Sequence, residues 1–280
     1  MRSRLGAAIA AATIGAVLAL LAAPFLPVGV DWVFVQRPAA LAVLSWTSPY
    51  EVAPDAPYAG APWGLWVLLP LAILPAHIGR AALLFIGLGA FALAAHRLGA
   101  RPLVVAAFLL SPPVLHCLLN SNLDWMPLLG FVLPPQIGLF LLAVKPQMGS
   151  VVALLWLFQA WRTGGWRETA RVFAPVTAAL VFSFWLYGFW PAIALRIASV
   201  SQGWNASLWP ASIPVGLGLA VAALRKREVR YAIAASPCLS PYVLFHSWSG
   251  ALAAVLAQPA EALAAIAGLW VLVLLLAFGG

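Results

Sequence analysis

The chain alternates long apolar runs with short polar or basic breaks, and that spacing predicts a bundle of membrane-crossing helices. The runs are Leu5 to Val30, the stretch between Gly79 and Arg97, Pro102 to Asn120, Gly149 to Trp161, Val172 to Trp190, Leu208 to Leu224, Tyr231 to Trp248 and Ala260 to Phe278. Several exceed the roughly 18 apolar residues needed to cross a hydrocarbon core. Proline and glycine recur inside them, which is tolerated where neighbouring helices satisfy the freed backbone groups. The first run follows Arg2 and Arg4 as a signal sequence would. It is too long for a signal-peptide core and shows no clear cleavage site, so it is expected to be a retained helix.

Composition agrees with the pattern. Hydrophobic residues make up 64% of the 280 positions and charged residues 8%, against roughly 25% charged in soluble domains. The expected fold is all-α, a polytopic membrane helical bundle of about eight crossings. One domain, residues 1–280, is expected, because no linker, charge block or repeat divides the chain. The formal charge of +8 has neither a contiguous basic face nor a soluble module to carry it, which argues against nucleic acid. Cys117 and Cys238 lie inside apolar runs and read as small hydrophobes. No Gly-rich loop ends in Lys-Ser or Lys-Thr, so no nucleotide-binding loop is predicted.

Charge then supplies orientation. Arg2/Arg4, Arg97/Arg101, Arg162/Arg167/Arg171 and Arg225/Lys226/Arg227/Arg230 hold eleven of the 15 cations. Short loops rich in Arg and Lys stay cytoplasmic, which places both termini inside the plasma membrane. Two apolar stretches are then left without a crossing to make. Trp63 to Ala76, broken by Pro70 and Pro75, falls in the first extracytoplasmic loop, residues 31–79, and is predicted as a helix on the outer interface. Trp125 to Lys145 has two arms of about nine residues, short against the roughly 20 needed to span, with Pro134-Pro135 between them. It is predicted as a re-entrant hairpin with both ends outside, a form of backbone allowed only where protein or a water-filled cavity shelters it.

This scheme gathers polar residues on the outer side. Asp31, Arg37, Tyr50, Glu51, Asp55 and Arg80 come from the first loop and its edge; Asn120, Asn122 and Asp124 follow the third run; Lys145 and Gln147 follow the hairpin. Arg196, Gln202, Asn205 and His246 come later, with Glu261 opening the last run. Only 7 residues are acidic, and Asp31 and Asp124 both stand where an apolar run ends. A carboxylate at a bilayer boundary is costly, and its usual tasks are taking a proton, binding an ion or holding a cation.

Short motifs follow one another in a definite order, from Val30-Asp31-Trp32 through Thr47-Ser48-Pro49-Tyr50, Asn122-Leu123-Asp124 and Lys145-Pro146-Gln147 to His246-Ser247-Trp248, and that order resembles the GT-C glycosyltransferases, most closely the polyprenol-phosphate-mannose-dependent glycosyltransferase family eighty-seven. Val30-Asp31-Trp32 and Arg37-Pro38-Ala39-Ala40 are followed by Thr47-Ser48-Pro49-Tyr50, which is similar to the family's Asn-Pro-Tyr element with Ser in place of Asn. Ala61-Pro62-Trp63, Ser111-Pro112-Pro113, Asn122-Leu123-Asp124, Lys145-Pro146-Gln147, Ser240-Pro241-Tyr242 and His246-Ser247-Trp248 extend the similarity nearly to the end. The chain is shorter than most members. The resemblance implies an inverting transferase that takes a hexose, mannose in the family, from a polyprenyl-phosphate carrier and places it on a hydroxyl of a lipid, glycan or protein outside the plasma membrane. It implies Asp31 as general base, a role in which a positioned carboxylate takes the hydroxyl proton. Lys145, Arg37 and His246 would neutralise the leaving phosphate, with Arg80 and Arg196 behind them. Asp124, Tyr50, Gln147, Asn122 and Trp248 would line the substrates.

Plainer roles stand beside these. Asp31 can pair with Arg37, Asp124 can bind donor or a divalent ion or cap the hairpin through backbone N–H groups, Lys145 can snorkel to headgroups, and His246 can be a packing residue. Most of the tryptophans fit an interfacial belt. No metal or organic cofactor is predicted, the partners being membrane lipids and the carrier-linked sugar. A second expectation is a non-catalytic subunit that binds polyprenyl phosphate or assists assembly. A transporter would require mid-bilayer polar residues and an internal repeat, and the sequence has neither.

Overall fold

A computed structural model describes residues 13–278 apart from 16, 19, 54–56 and 201. Arg2, Arg4, Asp55 and the start of the first apolar run lie outside the described residues. Among those described the fold is helical throughout, with one isolated bridge, Asn205 to Leu244. The first run ends in a 3-10 turn, Ala23–Phe25. A π-helical turn, Asp31–Gln36, then leads into α1 (Arg37–Leu44). In place of the single interfacial helix expected over 63–76 stand two isolated turns, α2 (Trp63–Trp66) and α3 (Leu69–Ala72). Pro70 removes a backbone donor and crowds the turn before it, and Pro75 closes the segment.

The long elements follow. They are α4 (Ala76–Arg97), then α5 (Pro102–Leu109) and α6 (Pro112–Asn120), a pair bent by 55° at Ser111-Pro112. Two short helices, α7 (Trp125–Gly130) and α8 (Pro135–Leu142), make the hairpin foreseen over 125–145. After them come α9 (Pro146–Tyr187), α10 (Trp190–Val200), α11 (Ile213–Lys226), α12 (Val229–Cys238), α13 (Trp248–Ala253) and α14 (Pro259–Phe278). Among the described residues, α4, α9 and α14 are long and apolar enough to cross a membrane, and the bent α5–α6 pair adds a fourth if counted as one span. The crossing predicted over 231–248 is interrupted: Pro237 and Pro241 end α12, and the chain runs extended into a 3-10 turn, Phe245–Ser247.

Within α9 the helical backbone breaks at Gly164 (φ −149°, ψ 19°) and Gly165 (φ 57°, ψ −145°). Gly165 takes a left-handed conformation that disfavours any residue with a Cβ. Trp156 and Val172 line one small cleft on either side of the break, so the halves 146–163 and 166–187 fold back on each other, with Arg162, Arg167 and Arg171 around the turn. The hairpin packs along the first half. A Cβ on Gly138 would lie 2.5 Å from the Gly130 carbonyl and 2.7 Å from the Trp156 ring, which is why the two arms and α9 approach so closely.

Two ends of the bundle differ in character. At one, Gly99 contacts Ala257, and the loop between α11 and α12 gathers Lys226 and Arg230 around the Tyr231 ring. At the other, the π turn, the end of α6, the mouth of the hairpin and residues 205–208 and 240–248 come together. The last helix corrects the predicted order. The sequence places Glu261 with the outer acids, but α14 starts beside Gly99 at the basic end and runs alongside α5–α6, Trp270 Nε1 donating to the Leu110 carbonyl at 3.2 Å. Strict alternation fails because residues 245–258 already carry the chain back across in short broken pieces, a return that no long apolar run advertises.

Gly138→Ala is therefore expected to destabilise the folded protein by about 1–3 kcal/mol through overpacking, seen as a lower thermal midpoint in detergent. Gly89→Ala, where a Cβ meets nothing within 4 Å, is expected to leave the midpoint unchanged or raise it. Equal midpoints for Gly138→Ala and wild type would refute this account of hairpin packing.

Candidate functional site

The hairpin's two ends meet in an ion pair. Asp124 stands before α7 and Lys145 before α9, and the Lys145 Nζ lies 2.6 Å from Asp124 Oδ1. From the 3-10 turn, His246 Nδ1 lies 2.5 Å from the other carboxylate oxygen. Asp124 and His246 are buried, and the Lys145 side chain is 12% exposed. Asp124 lies outside the long spanning helices. Burial alone would raise its pKa, but the opposing pull of His246 and Lys145 is stronger and holds the carboxyl well below the usual range.

Asp31 joins the same cluster through one side chain. α6 ends at Ser121 in a left-handed conformation (φ 62°), which turns the chain so that Asn122 faces the π turn. The Asn122 Oδ1 accepts from the Leu123 N–H at 2.7 Å, and its Nδ2 donates to Asp31 Oδ2 at 2.6 Å. Asn122-Leu123-Asp124 thus supplies the partner of one acid and the other acid itself. The π geometry at Asp31–Gln36 places that carboxylate, and such turns are rare and frequent at functional sites. The turn is anchored at its start: the Gly29 carbonyl accepts from the Trp32 and Val33 N–H groups, and Trp32 Nε1 donates to the Ala76 carbonyl at 2.9 Å.

The two acids are therefore unequal. Asp124 is buried between the Lys145 ammonium and the His246 ring, whereas Asp31 is half-buried and, among the described residues, forms no ion pair. The alternative Asp31–Arg37 pair does not form: Arg37 Nη2 faces the Leu74 carbonyl at 3.4 Å. Of the expected site residues, the structure brings together Asp31, Asn122, Asp124, Lys145 and His246. Gln147 stands half-buried in the first turn of α9, two residues from Lys145. Three others are held by contacts elsewhere: Arg37 serves the α3 end, and Trp248 Nε1 donates to the Ala206 carbonyl at 3.0 Å. Tyr50 is stacked on Trp190 (centroids 6.0 Å) and donates to the Gly60 carbonyl at 3.0 Å. Burial first, with Tyr58 and Tyr187 adding to it, raises its phenol pKa far above the ordinary value, so it stays a neutral donor. Arg196 is exposed on α10.

His116 is the site residue that sequence reasoning missed. Its ring stacks on His246 (centroids 5.6 Å, 19° between planes), its outer side is exposed, and it lies within electrostatic reach of Asp31 and Asp124. An ionisable residue inside an apolar run is itself a signal, though nothing in the spacing links position 116 to 246. Among the described residues no group of three or more His, Cys, Asp or Glu is placed to hold a metal ion. Comparisons with protein-family models, curated proteins and solved structures find no match for this chain.

Removing the charge at Asp124 strands Lys145 in the interior, so Asp124→Asn is expected to cost about 3–5 kcal/mol, read from the thermal or denaturant midpoint. Adding Lys145→Gln should return part of that loss, because contacting partners are non-additive; strictly additive effects would show the two uncoupled. Acid reads the same contact. The folded pKa lies below the unfolded value, so the stabilisation is complete above about pH 4 and is lost as pH falls through the folded value. The acid-unfolding limb should accordingly be shallower in Asp124→Asn than in wild type.

Proposed function

We propose that the protein is a membrane glycosyltransferase of GT-C-like, polytopic architecture, moving a hexose, most simply mannose, from a polyprenyl-phosphate carrier to a hydroxyl acceptor on the extracytoplasmic side. The observation that carries this reading is the state of Asp31: a half-buried carboxylate with one oxygen held by Asn122 and no cation paired to it, beside a second acid whose charge is already spent. A base of this kind must reach the hydroxyl it deprotonates and must not be neutralised by a neighbour. In the reaction, the acceptor O–H gives its proton to Asp31 as its oxygen bonds to the anomeric carbon. The bond from that carbon to the carrier phosphate breaks, its electron pair leaving with polyprenyl phosphate, and the sugar configuration inverts. Sidedness is supported by the opposite end of the bundle, where the Arg97/Arg101 and Arg225–Arg230 loops carry the cytoplasmic signature.

One observation favours a second reading, a subunit that binds carrier phosphate without turnover: Lys145 and His246, the expected phosphate ligands, are both engaged by Asp124. The two separate in one experiment. Purified protein supplied with a polyprenyl-phospho-sugar is expected to release polyprenyl phosphate. Asp31→Asn should slow release by about 10²- to 10⁴-fold while donor binding persists. Undiminished release by Asp31→Asn would sink the base, and binding without release by the wild type would select the subunit. Sidedness has its own check, since both native thiols are buried. Trp204→Cys, at a position 77% exposed, should react with an impermeant maleimide added outside, and Lys226→Cys only from the cytoplasm; reversed labelling overturns the topology.

A further inference from the structure

Arg80 stands in the second turn of α4 and is buried, 3% exposed. One of its nitrogens is satisfied, Nη2 donating to the Leu119 carbonyl at 2.8 Å. Nε and Nη1 are buried without a hydrogen-bond partner, and among the described residues no carboxylate pairs with the guanidinium. Ser121 Oγ, on a residue 2% exposed, likewise has no partner. Arg80 and Ser121 are neighbours across Gly29: a Cβ built on that glycine would overlap Arg80 Nε and lie 2.8 Å from Ser121 Oγ. Gly29, at φ +68°, is thus the residue that lets the arginine lie flat against the chain entering the π turn.

Arginine keeps its charge in proteins, and its planar fork matches phosphate oxygens. A buried charge without a counter-charge is strongly unfavourable. Lys145 and His246 are matched by Asp124; Arg80 is matched by nothing in the described chain. Its place gives the charge a direction. Ser121 adjoins Arg80 and the next residue, Asn122, holds Asp31, so an anion at Arg80 sits one residue along the chain from the partner of the proposed base. We infer that Arg80, with Ser121 Oγ as a second donor, binds a phosphate oxyanion and that this arginine, in place of Lys145, takes the phosphate of the lipid substrate. The identity of the lipid rests on the proposed transferase; the binding of a phosphate does not.

Full-length protein in neutral phosphatidylcholine nanodiscs is titrated with farnesyl phosphate, inorganic phosphate and farnesol, reading thermal midpoint and tryptophan fluorescence. Farnesyl phosphate is expected to raise the midpoint and farnesol to leave it unchanged. Arg80→Gln should weaken farnesyl phosphate binding about 10- to 100-fold, Arg80→Lys should recover part of it, and Ser121→Ala should weaken it about 2- to 10-fold. An equal response to inorganic phosphate supports the anion site while overturning the lipid assignment. No response of the wild type to either phosphate, or unchanged binding by Arg80→Gln, overturns the inference. A phosphate-free readout separates a binding role from a structural one: Arg80→Met should be at least as stable as wild type, and a lowered midpoint would make Arg80 structural. Phosphate binding through Arg80 with no sugar released defeats the transferase alone; release undiminished in Arg80→Gln defeats this assignment alone.

Discussion

A full negative charge at Asp124, withdrawn from water, is the constraint around which the polar end of this bundle is organised. Desolvation of a carboxylate is compensated only by close cations and hydrogen bonds with good geometry, and here the two partners come from distant parts of the chain, Lys145 after the hairpin and His246 after α12. The pair with Lys145 joins the hairpin's first and last residues, so two apolar arms too short to span are held as one unit against α9. The contact with His246 then fixes the broken segment 240–248 onto that unit. A hydrophobic substitute at these positions would hold helices together equally well. What the charges add is register, because only one seating of the hairpin brings all three groups together.

The same cluster divides labour between two acids. Asp124 faces a basic side chain at each oxygen, and Asp31 is without an ion pair among the described residues, with Asn122 steadying one oxygen through a bond that its own backbone contact orients. The π turn supplies the remaining control. It shifts the angular position of Asp31 relative to the helix that continues into α1, and Trp32 on Ala76 prevents that turn from relaxing.

Much of this was legible in the chain, for reasons that can be named. Apolar run length and proline placement announced α4, the run from Pro102 to Asn120 though not its bend, the hairpin and α14, because in lipid every backbone group must be satisfied within its own segment. The Arg162 to Arg171 cluster announced the reversal now seen at Gly164-Gly165. Scarcity announced Asp31 and Asp124, since so few acids stand in so apolar a chain. Other features left no such trace. The return through 245–258 is built from a 3-10 turn and a single short helix, with no run long enough to register as a crossing, and so Glu261 was expected at the wrong end. His116 and Arg80 owe their places to packing against residues 130 and 41 positions away in one case each, His246 and Ser121, and contacts of that kind have no periodicity to betray them.

The connection between His246 and Asp124 spans 122 residues of sequence, and this sets an order of events during synthesis. When Lys145 has been made, the hairpin can close on its own charge pair. Its buried carboxylate still lacks a second partner until α9, α11 and α12 have been added and residue 246 has emerged. The polar end is consequently completed late, after α12 and before α13 and α14 have been added, and a chain that stops between residues 145 and 246 leaves Asp124 with Lys145 alone of its two partners.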